Sequence, residues 1–178
     1  MNLSLKAKLA AAFSAILLLT GALGWLGINQ MSNINDQSTV LATNWMPSID
    51  NVHKVDTAMS DIRVLEYRHI VSTDAVAMQQ AEQRTDAKLD ELKAAMAAYE
   101  PLISSPEERA IYAKFTAGLQ DYMKMHDGML QLSRNNQNEQ AAAAVLASTD
   151  LYDEMSGYLA DLVTMNVDSG NAASAEGD

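Results

Sequence analysis

The sequence predicts an all-α protein: an antiparallel up-down-up-down four-helix bundle preceded by one transmembrane helix. Three observations predict it. Residues 9–28, LAAAFSAILLLTGALGWLGI, are apolar and uncharged, about the 20 residues a helix needs to cross a bilayer. Beyond them, apolar residues recur at alternating spacings of three and four in four successive segments, as on amphipathic helices. Only three prolines and eight glycines occur in 178 residues, and Gly21, Gly24 and Gly27 lie in the apolar run, so little interrupts helix elsewhere.

Residues 1–8 read as a cytoplasmic N-terminus. Lys6 and Lys8 precede the apolar run and no Lys or Arg follows it until Lys54, so the positive-inside bias puts residues 29–178 on the far side of the membrane, in the periplasm. A cleaved signal peptide shares this basic start. The run nevertheless exceeds the ~7–15 residue core of such signals, and Trp25 sits near its outer end as an interfacial aromatic would.

The first bundle helix carries Trp45, Ile49, Val52, Val55, Met59 and Ile62 along one stripe, and Ser72-Thr73-Asp74 ends it with capping side chains. The second carries Leu89, Leu92, Met96 and Tyr99 and closes at Glu100-Pro101. Ser105-Pro106-Glu107-Glu108 opens the third with an N-cap, a proline at the first helical position and acids in the first turn. That helix runs Ile111, Phe115, Leu119, Tyr122, Met125, Met129 and Leu132 to the polar turn 134–138. The fourth carries Val145, Thr149, Tyr152, Met155, Leu159 and Leu162 and continues through Asn166 to Ala175. Such short connections favour antiparallel neighbours. The first helix, at about 66 Å, outruns the second, at about 39 Å, so it begins as a stalk and enters the bundle near Pro47, a predicted kink. The returning last helix suggests a fragment, its remainder holding a second membrane helix and a cytoplasmic output.

Of 12 basic side chains, Lys6 and Lys8 precede the span, which leaves ten against 23 acids and a charge of −13 beyond Ile28. Such a domain repels phosphate backbones, so nucleic-acid binding is not expected. The absence of cysteine excludes disulfides, thiolate metal sites and covalent c-type haem. No nucleophile elbow, phosphate loop or acid/base pair stands out, and no enzyme is predicted.

One stretch breaks the apolar pattern. After Ile62 the stripe gives way to Arg63, Glu66 and His69, with Tyr67 and Arg68 alongside. Arg63 and Glu66, three apart, are neighbours, whereas Arg63 and Arg68 stand about 140° apart around the helix and face different grooves. This level lies opposite the start of the fourth helix, with Thr149, Tyr152 and Ser156. Guanidinium forks with hydroxyls suit a small carboxylate; an internal Arg63–Glu66 pair beside a hydrogen-bonded His69 is the equally open reading. Glu66-x-x-His69 is also half of a di-iron pattern, but no second Glu-x-x-His accompanies it. Met–His haem ligation is conceivable, though methionines at helical spacing are usually core filler.

The chain resembles the N-terminal half of bacterial methyl-accepting chemotaxis receptors with four-helix-bundle sensors, like the aspartate and serine receptors. The resemblance rests on the basic start and apolar span, Trp45-Met46-Pro47-Ser48-Ile49, Arg63 to His69, and Leu162-Val163-Thr164-Met165-Asn166. It implies a homodimer paired through its first helices, with ligand bound across the interface at the membrane-distal end. Arg63 and Arg68 look like two of the arginines that clamp ligand carboxylates, one from each subunit, and Thr149 looks like the fourth-helix ligand threonine. Ser72 stands where a third arginine is found, which bears on amino-acid specificity. Tyr67, His69 and Tyr152 join the candidate site by position and chemistry.

The function expected is therefore a periplasmic chemoreceptor sensor for a di- or tricarboxylate such as malate or citrate, without cofactor, anchored in the inner membrane by residues 9–28. Ligand should favour the dimer or a higher oligomer, because the site borrows from a partner. The sensor of a histidine kinase and a metal- or haem-binding bundle are the alternative readings.

Overall fold

The computed structural model describes residues 4–177; Met1–Leu3 of the N-terminal segment and Asp178 lie outside the described residues. Six α-helices follow in order: α1 (Leu5–Val40), α2 (Met46–Val71), α3 (Ala75–Tyr99), α4 (Pro106–Arg134), α5 (Asn138–Ala147) and α6 (Thr149–Gly177). A π-helical turn, Leu41–Trp45, joins α1 to α2, so one helix runs unbroken over 67 residues from Leu5 to Val71. At 1.5 Å per residue it is about 100 Å long. The side chains of α1 are exposed throughout the apolar run, with Phe13, Leu18 and Trp25 among them, as expected of a surface that faces lipid.

The turns form where local chemistry dictates. Asp74 caps α3 by accepting from the amides of Val76 and Ala77, and Ser105 caps α4 by accepting from Glu108 N. Asn136 ends α4 in the left-handed region at φ 57°. Its amide reaches the Ser133 carbonyl while that of Gln137 reaches Leu132, the double closure of a Schellman motif.

One expectation changes and another gains its local geometry. Just before Pro47, the predicted kink site, a π turn leads into α2. Met46 N bonds the Leu41 carbonyl five residues back, and Asn44 Nδ2 reaches the Leu102 carbonyl at 2.9 Å. The fourth amphipathic series is two helices, α5 and α6, broken at Ser148. In an unbroken helix the Val145 carbonyl would accept from Thr149 N; here Ser148 Oγ (2.8 Å) and the Arg63 guanidinium (3.0 Å) donate to it. Side-chain donors competing for a helical carbonyl are a known source of helix bending.

The bundle proper consists of α2, α3, α4 and α6, with the most extensive packing between α2 and α3. Its main core stacks Val55, Met59, Ile62, Leu92, Phe115, Met155 and Leu162. A smaller distal cluster joins Ile70, Met129, Leu130, Ala141 and Val145, so α5 closes the tip. At the α1 end of the bundle, Gly170 of α6 lies against Leu41 and Trp45, where an added Cβ would sit at ordinary contact distance, 3.4 Å from Leu41.

At the lower end of the core, buried Glu108 accepts from Tyr99 OH (2.7 Å), Asn166 Nδ2 (2.8 Å) and Ser104 N (2.8 Å). Desolvation by burial raises its pKa, but these donors outweigh it and hold the carboxyl below its ordinary value. A depressed carboxyl contributes stability that is complete above its unfolded pKa and is lost as pH falls through the folded value. Melting temperature followed from about pH 6 to about pH 3 should therefore fall, and Glu108→Gln should flatten that slope. An unchanged slope in the variant would refute the assignment.

Candidate functional site

Arg63 projects from α2 toward the break between α5 and α6. Its guanidinium donates to Ser148 Oγ (2.5 Å), the Val145 carbonyl (3.0 Å), Thr149 Oγ1 (3.2 Å) and Tyr122 Oη (3.3 Å). It also lies 5.1 Å from the ring centre of Tyr152, 5.7 Å from that of Tyr67 and 5.9 Å from that of Tyr122. Three aromatic faces and four oxygens thus enclose one cation. Tyr152 Oη in turn meets Ser60 Oγ at 3.2 Å.

Behind Arg63 is a buried carboxylate. Glu66, 2% exposed, accepts from His126 Nδ1 and Tyr122 Oη, each at 2.7 Å, and stands 3.7 Å from Arg63. Burial and the neighbouring Glu66 charge push the Tyr122 phenol far above its ordinary value, so it stays a donor. This polar layer lies between the main core and the distal cluster. A narrow space of about 10 Å³ beside Glu66, His126 and Ser148 is the size of a single water.

His69 belongs to a different group. It is 1% exposed; Nδ1 lies 2.8 Å from Ser133 Oγ, and Nε2 donates to Glu82 Oε1 at 2.9 Å. Arg134 Nε donates to the same oxygen at 2.7 Å, and that bond, with the one from His69, holds the Glu82 carboxyl below its usual range. Arg68 is elsewhere again, exposed in a recess between α2 and α3 with Asp61, Arg84 and Lys88.

Of the six candidate residues, the fold therefore gathers Arg63, Tyr67, Thr149 and Tyr152, sends Arg68 to the opposite side of α2, and turns His69 inward. Glu66 and His69 share no partner: one meets His126 and Tyr122, the other Ser133 and Glu82. Among the described residues no group of three or more His, Asp or Glu is placed to hold a metal ion. Sequence reasoning missed His126, Tyr122 and Ser148. The signal for the first two was present, since Tyr122 and His126 are four apart on α4 and face one carboxylate.

Removing one member of a buried charged pair leaves the other uncompensated, at about 3–5 kcal/mol. Glu66→Ala should lower unfolding free energy in urea by that order while far-ultraviolet circular dichroism still reports helix. A loss within experimental error would mean that the layer is not coupled as described.

Comparison with known proteins agrees with the architecture. The family described as "Four helix bundle sensory module for signal transduction" matches residues 2–178. Among individual proteins, the chain is 20% identical over 176 residues to one from Bacillus subtilis (strain 168) named "Putative sensory transducer protein YvaQ". That alignment covers 99% of this chain and 31% of the relative, so the chain spans about a third of that protein's length.

Proposed function

The chain belongs to the four-helix-bundle sensory modules for signal transduction, and from that premise we propose that it is the periplasmic sensor of a transmembrane chemoreceptor that binds a small di- or tricarboxylate. The observation that carries this reading is an exposed seam on α2 with an arginine on each side. Ser60, Val64, Tyr67 and Val71 alternate at spacings of four and three, and Val64, Tyr67 and Val71 are 64%, 43% and 76% exposed. That spacing is the one by which two helices pair in a coiled coil.

Arg63 and Arg68 lie roughly 70° to either side of the seam's centre. In a parallel twofold pair, the residue just before Val64 faces the partner's residue just after Tyr67, as flanking positions do in any parallel two-stranded coil. Arg63 of one subunit then stands opposite Arg68 of the partner subunit, twice by symmetry. Two cations face to face repel unless an anion lies between them, and guanidinium forks fit carboxylates in two-point fashion. His69 is turned inward to Ser133 and Glu82, away from this pair.

Signal leaves through α6. Arg63 secures the start of that helix through Ser148 and Thr149, and α6 is continuous from there to its contact with Leu41 and Trp45. A carboxylate that draws on Arg63 competes with those bonds and shifts the first turn of α6; a differential affinity of about 1–3 kcal/mol between two arrangements suffices for coupling.

The test is thermal unfolding of the full chain in detergent micelles against malate, succinate, citrate, aspartate, serine and acetate. A ligand at about 100 times its dissociation constant stabilises by roughly 2.7 kcal/mol, a shift of several degrees. Di- or tricarboxylates should give that shift and raise the dimer fraction in sedimentation. Arg68→Ala should abolish the shift without altering the unliganded melting temperature, because the Arg68 side chain makes no hydrogen bond or ion pair among the described residues. No shift with any acid would overturn the proposal.

A further inference from the structure

We infer that Arg84 completes the ligand site: the recess it shares with Arg68 between α2 and α3 receives a dicarboxylate that carries no ammonium group. This rests on the sensor reading above and names its ligand class.

The recess has a volume of about 240 Å³ and is lined by Asp61, Val64, Leu65, Arg68, Arg84 and Lys88. Its size falls below the ~300 Å³ at which pockets for drug-sized molecules begin, so it suits a small metabolite. Buried Leu65 and exposed Val64 supply apolar lining, and Val64 also belongs to the pairing seam, so the recess opens beside the dimer face.

Its charges are unevenly spent. Lys88 bridges Asp61 at 3.1 Å and Glu91 at 2.8 Å. Arg68 and Arg84, one from each helix, have side chains that make no hydrogen bond or ion pair among the described residues. The protein carries 23 acidic residues and a net charge of −11; two neighbouring guanidiniums without a carboxylate partner among the described residues are available to an outside one. Each fork binds one carboxylate in a planar two-point contact, so the pair reads two carboxylates a short chain apart. An ammonium group would need an acceptor. Asp61 is the single carboxylate in the lining, and Lys88 already holds it, so an α-amino acid would have to displace that bond and would sit beside two arginines.

Arg84 therefore reads ligand from α3, while Arg68 of the same subunit and the partner's Arg63 read it from the two α2 helices. The site is a pocket of one subunit closed by the other.

Calorimetric titration of the full chain in detergent micelles with succinate, aspartate and acetate tests this. Succinate should bind, with aspartate and acetate each weaker by about tenfold or more. Arg84→Ala should weaken succinate by about tenfold or more at an unchanged unliganded melting temperature, and Arg84→Lys should recover part of the loss. If Arg84→Ala binds succinate like the parent while Arg68→Ala does not, Arg84 has no part in the site and the sensor reading stands alone. If aspartate binds as tightly as succinate, the ligand class is wrong. If the unmutated chain binds none of the three, the sensor reading fails with the inference.

Discussion

A carboxylate in the middle of a helical bundle forces its surroundings to answer it. Glu66 occupies a position where the stripe of α2 would otherwise continue the apolar core, and an ion there without partners would be strongly destabilising. His126 and Tyr122, one turn apart on α4, supply its two short hydrogen bonds. Arg63, one turn earlier on α2, adds the nearest positive charge. Once Arg63 is held at this level, its remaining donors point at the chain between α5 and α6, and the Val145 carbonyl that it takes is one an uninterrupted helix would need. The break at Ser148, the cap formed by α5 and the placement of the start of α6 all follow from that single buried charge.

The same layer separates two apolar regions of different character. Below it, Phe115, Met155 and Leu162 are fully enclosed between the long helices. Above it, small residues such as Ala141 let the short α5 lie close to α4. Polar layers of this kind can specify one register among many that a uniformly apolar bundle would tolerate. Here the layer fixes how far each helix has advanced along its neighbours at the end where ligand is proposed to act, so a change in one hydrogen bond is felt as a change in helix position.

Much of this was legible in the sequence because it depends on local chemistry. Ser72 to Asp74, Ser105-Pro106 and the 134–138 turn end helices through capping side chains and backbone preference, and the structure ends them there. The spacing that placed Arg63 and Arg68 on different faces is a property of the helix alone, and it holds. What escaped was set by contacts distant in sequence. The series from Val145 to Leu162 keeps its period across Ser148, so nothing in the pattern announces a break caused by Arg63, 85 residues away. His69 stood out as a polar residue at a proposed site, but its partners Ser133 and Glu82 lie on α4 and α3. Nothing in the sequence around Arg84 marks it; only the packing of α3 on α2 sets it beside Arg68.

The π turn at Leu41–Trp45 carries a consequence for the chain as a mechanical part. A π turn accommodates one residue more than an α turn over the same height, so the helix above it is rotated by about 100° relative to the course that an unbroken α-helix would have taken. The candidate membrane helix and the bundle are thus joined as a shaft with a built-in offset in phase. Because Asn44 and Trp45 are tied to Leu102 and packed on Gly170, the offset is locked to both the α3–α4 connection and the returning helix. One residue inserted or lost at this turn would re-index the exposed apolar residues of α1 against the exposed seam of α2 while leaving each intact, so that the same two surfaces could meet their surroundings at a different relative angle.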